Sequence, residues 1–216
     1  MTDLNRSGFK NILGAGIFLA VFIVPIVLLW QGIIPLKFRA VPGILFCVYM
    51  AWHIFFYRKF SWKDLGMRTD NFKSSILPYA LFTLFCVALM VIFSHFHLLT
   101  DEKSHCPAVL RTKLPKSWFF ASYVFLTAPI QEVFYQSVFF AEFKKRGISL
   151  VPLILISSLN FSVGHIFYSS LAILAITFSV RIFWGLLYNK HQNLWLVALS
   201  HSILGAVAIY LKIMPH

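Results

Sequence analysis

Three residues that can move protons lie inside stretches otherwise fit for hydrocarbon: Glu132, His165 and His201. Only seven acids occur in the chain, and six of them (Asp3, Asp64, Asp70, Asp101, Glu102 and Glu142) fall in loops or at the ends of apolar runs. Glu132 alone is deep within one. A carboxylate there costs about 2.5–3.5 kcal/mol on insertion scales, so it faces a bundle interior or a wet cavity and marks a function. Ser158, Ser162 and His165 follow i, i+4, i+7 spacing and share a helix face, and Ala198, His201, Gly205 and Ala208 make a face of small residues around one imidazole. A buried glutamate can take a proton from water while imidazoles orient that water or hold an oxyanion, which is the chemistry of hydrolysis. The same Glu132, His165 and His201 could instead ligate one divalent zinc ion. No H-E-x-x-H signature is present, so any such metal would be bound across helices.

Arg181, near the middle of its own apolar run, requires a partner. Glu132 is the most economical one, with Gln136, Asn160 or a helix carbonyl terminus as alternatives.

The elements that must position these groups are membrane helices. The 216 residues are 59% hydrophobic, 18% aromatic and 12% charged, too apolar for a water-soluble globule. A window of about 19 residues gives seven spans, near Ile12–Ile34, Val41–Tyr57, Ser75–Phe93, Trp118–Phe140, Leu150–Tyr168, Leu171–Tyr188 and Leu194–Leu211. With no dyad alternation, the expected fold is all-α: a polytopic transmembrane helix bundle with a four-helix catalytic core in its C-terminal half. Residues 1–117 are read as N-terminal helices and loops and 118–216 as the core. Glu132 and His201 fall near mid-span, but His165 lies roughly 10 Å further along its own helix at 1.5 Å per residue. That helix is therefore expected to tilt, or to extend past Tyr168, so that His165 reaches Glu132 directly or through one water.

The net charge of +12 comes from Lys and Arg in short gaps between spans, where they face lipid headgroups; no nucleic-acid module is present. With a cytoplasmic N-terminus, eleven Lys and Arg lie on that side and seven on the other, Arg181 completing the 19, so the positive-inside rule favours this orientation. The first span is long for a signal peptide and lacks a clean cleavage site, and so reads as a retained helix. Most of the six tryptophans fall near span ends, as an aromatic belt requires. Cys47 and Cys86 within spans and Cys106 in a loop make neither a disulfide framework nor a cysteine metal site. The polar stretch Ser94–Ser117, with His95, His97, His105 and Cys106, reads as an interfacial loop.

Three motifs now stand together: Q-E-V-F-Y-Q from Gln131, F-S-V-G-H ending at His165, and L-S-H-S-I-L-G ending at Gly205. Their order and spacing resemble the CPBP family of intramembrane proteases, which includes the CAAX-processing proteases and the Abi bacteriocin-immunity proteins. The family pattern is E-E-x-x-x-R, F-x-x-x-H and H-x-x-x-N or D on four successive helices. The stretch W-K-D-L-G-M-R-T ending at Thr69 is similar to the segment preceding that core. The resemblance implies that Glu132 is one of the paired glutamates and that His165 and His201 are the two histidines. Gln131 stands where the first glutamate would be, Gln136 where the arginine would be, and Gly205 where the asparagine or aspartate would be.

The resemblance therefore implies an endopeptidase in a bacterial plasma membrane. It would cut a membrane-associated protein of CAAX or sorting/maturation type, Glu132 activating water with His165 and His201 assisting and Gln131, Gln136, Arg181 and Asn160 supporting. The bilayer and that protein substrate are the partners, and no cofactor is required unless the zinc alternative holds. The three replaced groups keep a second class open, a catalytically inactive immunity or scaffold protein. A transporter with a proton relay would share the buried Glu and His but lacks an inverted repeat.

Overall fold

The computed structural model describes residues 3–35, 38, 40–96 and 116–213. His97, His105 and Cys106 lie outside the described residues. Among the described residues the chain is helical with no strand, and it forms the polytopic bundle read from the sequence. Seven helical runs correspond to the seven expected spans: α1 (Asp3–Trp30), α2 (Ala40–Arg58), α3 (Phe72–His95), α4 (116–145), α5 (Leu150–Val163), α6 (Leu171–His191) and α7 (Leu194–Tyr210). On length and composition, Leu13–Trp30 within α1, together with α2, α3 and α6, can each cross a bilayer. Helices α5 and α7, with 14 and 17 residues, measure about 21 and 26 Å, short of a hydrocarbon core of about 30 Å.

Outward faces are apolar: Phe56, Phe125 and Leu171 are more than 70% exposed, which is a surface made for lipid rather than water. Five of the tryptophans are exposed as an aromatic belt requires, but Trp184 is buried. Inside, α5 packs along α6, α3 along α7, and the middle of α4 against α7. The small-residue face of α7 (Ala198, His201, Gly205, Ala208) is buried, as close helix approach requires.

Helix α4 carries the main irregularity. Pro129 has no N–H to donate to the turn before it, so the helix widens there: Tyr123–Thr127 is π-helical, and the Ala128 N–H bonds the Tyr123 carbonyl five residues back. A second π-helical stretch, Val133–Val138, begins immediately after Glu132. Such wide turns concentrate at functional sites.

The loop before α3 is a fastener. Gly66, at φ +66°, turns the chain so that its carbonyl accepts the Leu194 N–H (2.8 Å), while the Leu65 carbonyl accepts the Ser137 hydroxyl (2.6 Å). Asn193 caps α7 by accepting the Leu196 N–H (3.1 Å), and its amide donates to the Arg68 carbonyl (3.0 Å) and to Asn71 Oδ1 (2.7 Å). This satisfies orphan backbone groups at the start of α7. It also sets the register that places His201 two turns further on.

A second buried polar cluster underlies the other end of α4. Glu142, at a helix end in the sequence, is fully buried. It accepts hydrogen bonds from Arg58 Nε (2.6 Å) and Arg146 Nε (2.6 Å), and Arg58 Nη2 and His53 Nε2 close on the same carboxylate. This cluster joins α2 to α4.

Candidate active site

Glu132 is wholly buried on α4, and both its oxygens are engaged. Oε2 accepts from Arg181 Nη1 at 2.6 Å and Oε1 contacts His201 Nδ1 at 2.7 Å. Arg181 is equally buried; its Nε reaches Ser157 Oγ at 3.4 Å, and its guanidinium stacks on the Phe161 ring at 4.7 Å. Their mutual attraction and these added contacts oppose the desolvation of both charges, while Arg181 Nη2 has no hydrogen-bond partner among the described residues. Arg181 has therefore found the partner that the sequence argument favoured.

A carboxylate beside Arg181 can only accept, so His201 Nδ1 carries the proton and Nε2 is left as the acceptor. The Tyr123 hydroxyl donates to that Nε2 at 3.2 Å. The Trp184 ring lies against the imidazole (centroids 5.1 Å apart), and its Nε1–H donates to Ser200 Oγ at 2.9 Å. Carboxylate, imidazole and phenol thus form one hydrogen-bonded row from the core outward.

His165 does not reach the site by an extension of its helix past Tyr168. Helix α5 ends at Val163 instead of extending past Tyr168, and His165 sits in the turn before a 3-10 segment, Ile166–Tyr168. The reason is local: His165 Nδ1–H donates back to the Phe161 carbonyl (2.9 Å), competing with the helical ladder, and Ser169 turns left-handed at φ +51°. No hydrogen bond joins His165 to Glu132 among the described residues. Phe161 touches both imidazoles, with centroids 4.8 Å from His165 and 5.5 Å from His201. The two histidines line one cavity.

That cavity has a volume of about 330 Å³ and lies among α3, α6 and α7, with Phe82, Met90, Phe183 and Leu204 in its apolar wall and Tyr123, His165 and His201 on its polar side. Its size is that of a small-molecule or side-chain site. No lipid-sized pocket was legible in the sequence. Glu132 does not line the cavity; it stands behind His201.

Of the supporting residues only Arg181 bonds the carboxylate; Gln136 and Asn160 are buried and Gln131 is half-buried. Gln136 is fully buried and Asn160 is 1% exposed, and neither amide has a hydrogen-bond partner among the described residues. Gln131 Oε1 is likewise without one. Among the described residues no group of three His, Cys, Asp or Glu side chains is arranged to hold a metal. The trio Glu132, His165 and His201 does not fit a zinc ion as it stands: both carboxylate oxygens are taken, one of them by a guanidinium that would repel a cation.

Tyr123 and Trp184 were missed in the sequence because aromatics near span ends read as belt residues. Tyr123 and Glu132 are nine residues apart, about two and a half turns of regular helix, which would set them on opposite sides. The wide turn at Tyr123–Thr127 brings both to His201.

Residues 113–207 match the family model described as "Rce1-like: Type II CAAX prenyl endopeptidase Rce1-like". Neither the curated proteins nor the solved structures contain a match. The matched segment includes all three motifs and every residue of the row just described. Over residues 113–207 the chain is therefore similar to Rce1-like type II CAAX prenyl endopeptidases, consistent with a CPBP family intramembrane protease.

Proposed function

We propose that the protein is an intramembrane endopeptidase that hydrolyses a peptide bond near the end of a lipid-modified, CAAX-type membrane protein, with Glu132 and His201 acting as a dyad on water. The observation that carries this reading is the 2.7 Å contact of His201 Nδ1 with Glu132 Oε1, on an imidazole that lines an apolar cavity. Glu132 fixes the tautomer and stabilises the imidazolium, as a buried carboxylate does for a catalytic histidine in a triad. Water, held also by the free nitrogen of His165, gives a proton to His201 Nε2 as its oxygen attacks the scissile carbonyl carbon. The imidazolium then protonates the leaving amine, the C–N bond breaks, and a new carboxyl and a new amino terminus result. His201 is thus the base, and Glu132 acts through it by orienting the ring and stabilising the imidazolium. The apolar cavity suits the chain of an isoprenoid-bearing peptide, which supports this substrate class.

Incubating the purified protein with a farnesylated peptide ending in a CAAX sequence is expected to release the C-terminal tripeptide, and Glu132→Gln is expected to abolish that release. Undiminished cleavage by the variant would refute the dyad. Activity is expected to survive exhaustive EDTA treatment; loss restored by zinc would favour the metal-dependent reading. Absence of cleavage, together with full complementation by Glu132→Gln in cells, would favour the silent immunity or scaffold reading suggested by Gln131, Gln136 and Gly205. We further place the protein in a bacterial plasma membrane with its N-terminus in the cytoplasm, on the loop charges. A phosphatase reporter fused to the C-terminus should then be active, and an inactive one would reverse the orientation.

A further inference from the structure

The polar side chains around the cavity have almost no hydrogen-bond donor to spare. Thr177 and Ser179 give their hydroxyl protons to the Ile173 and Ala175 carbonyls. Trp184 gives its N–H to Ser200, His165 gives Nδ1–H to the Phe161 carbonyl, and His201 gives Nδ1–H to Glu132. Yet hydrolysis of an amide develops negative charge on the carbonyl oxygen, and in an apolar cavity that charge needs a preorganised donor. The Tyr123 hydroxyl differs from the others: its partner, His201 Nε2, is the atom that must be freed to receive the proton of water.

Gly205 is the reason the phenol can stand there. A Cβ at position 205 would lie 2.1 Å from Tyr123 Oη and 2.3 Å from its Cε1. The tyrosine thus fills the space that a side chain on α7, one turn beyond His201, would occupy. Tyr123 and Gly205 both line the cavity with the two histidines.

The geometry points to Tyr123 as a catalytic residue, the hydrogen-bond donor to the oxyanion, admitted to the site by the missing side chain of Gly205. When the scissile carbonyl enters, the phenol O–H turns from His201 Nε2 to the carbonyl oxygen. One rotation vacates the base and supplies the donor. The phenol keeps its proton throughout: the proton of water goes to Nε2 and then to the leaving nitrogen, and the donor is released when the carbonyl re-forms. This assignment rests on the Glu132–His201 reading.

The test is steady-state cleavage of the farnesylated CAAX peptide by wild type, Glu132→Gln and Tyr123→Phe. Removing one such donor lowers kcat by about 10²–10³-fold, so Tyr123→Phe should lose that much kcat with KM little changed. A wild-type kcat in Tyr123→Phe beside an inactive Glu132→Gln overturns the donor assignment alone, as does a loss confined to KM. Activity in Glu132→Gln, or no cleavage by wild type, removes the underlying reading instead. If Tyr123→Phe does not fold, the pair Tyr123→Ala, Gly205→Asn and Tyr123→Ala, Gly205→Ala replaces it. Both put a side chain in the vacated space, and only the first carries an N–H. Higher kcat in the asparagine variant supports the assignment, and equal kcat overturns it.

Discussion

Arg181→Met separates what the buried ion pair does for the fold from what it does for the reaction. The guanidinium and the Glu132 carboxylate are both 0% exposed and 2.6 Å apart, so deleting the cation leaves the carboxylate buried with only His201 against it. Breaking a buried pair from one side costs about 3–5 kcal/mol. For a chain of this size each kcal/mol moves Tm by about 2–4 °C, so the expected fall is about 6–20 °C. That is a large share of a total stability of about 5–15 kcal/mol. The double variant Glu132→Gln, Arg181→Met leaves no buried charge at this pair and is expected to recover much of the loss, because residues in one ion pair couple by about 0.5–3 kcal/mol. Thermal unfolding in detergent, followed by tryptophan fluorescence, reads the stabilities, and peptide cleavage reads the activity. The prediction is a double variant more stable than Arg181→Met and as inactive as Glu132→Gln. A single variant as stable as wild type, or a double variant showing no recovery, would refute the claim that the pair carries the cost of burying Glu132.

Two further variants test the frame around the site. Glu142→Gln should destabilise by about 3–5 kcal/mol, because it removes the anion that Arg58 and Arg146 share with His53; the remaining folded fraction, isolated by size-exclusion chromatography, should keep its specific activity, and a selective loss of kcat would contradict a purely structural role. Gly66→Ala forces a Cβ onto a left-handed residue 2.6 Å from the Tyr188 hydroxyl and should cost about 1–3 kcal/mol of stability; an unchanged Tm would show that the fastening loop can shift freely.

The sequence by itself determined the helix bundle, because unpaired backbone amides cannot lie in lipid and the apolar runs repeat at span length. It also singled out Glu132, Arg181, His165 and His201, since each is a costly group in an apolar run and cost implies a partner. It did not distinguish Glu142, because a carboxylate near a helix end reads as solvated; its burial depends on Arg58 and Arg146 folding over it from two helices. The extension of the His165 helix past Tyr168 was misjudged, since its own hydrogen bond to the Phe161 carbonyl ends the helix that periodicity would extend. Tyr123 and Gly205 form the clearest case. A regular helix puts Tyr123 and Glu132 on opposite sides, and a glycine shows nothing of what fills the space beside it. Only the wide turn before Pro129 and the packing of α4 on α7 bring the phenol to His201, because contact between residues distant in sequence is set by how helices meet, not by their spacing along the chain.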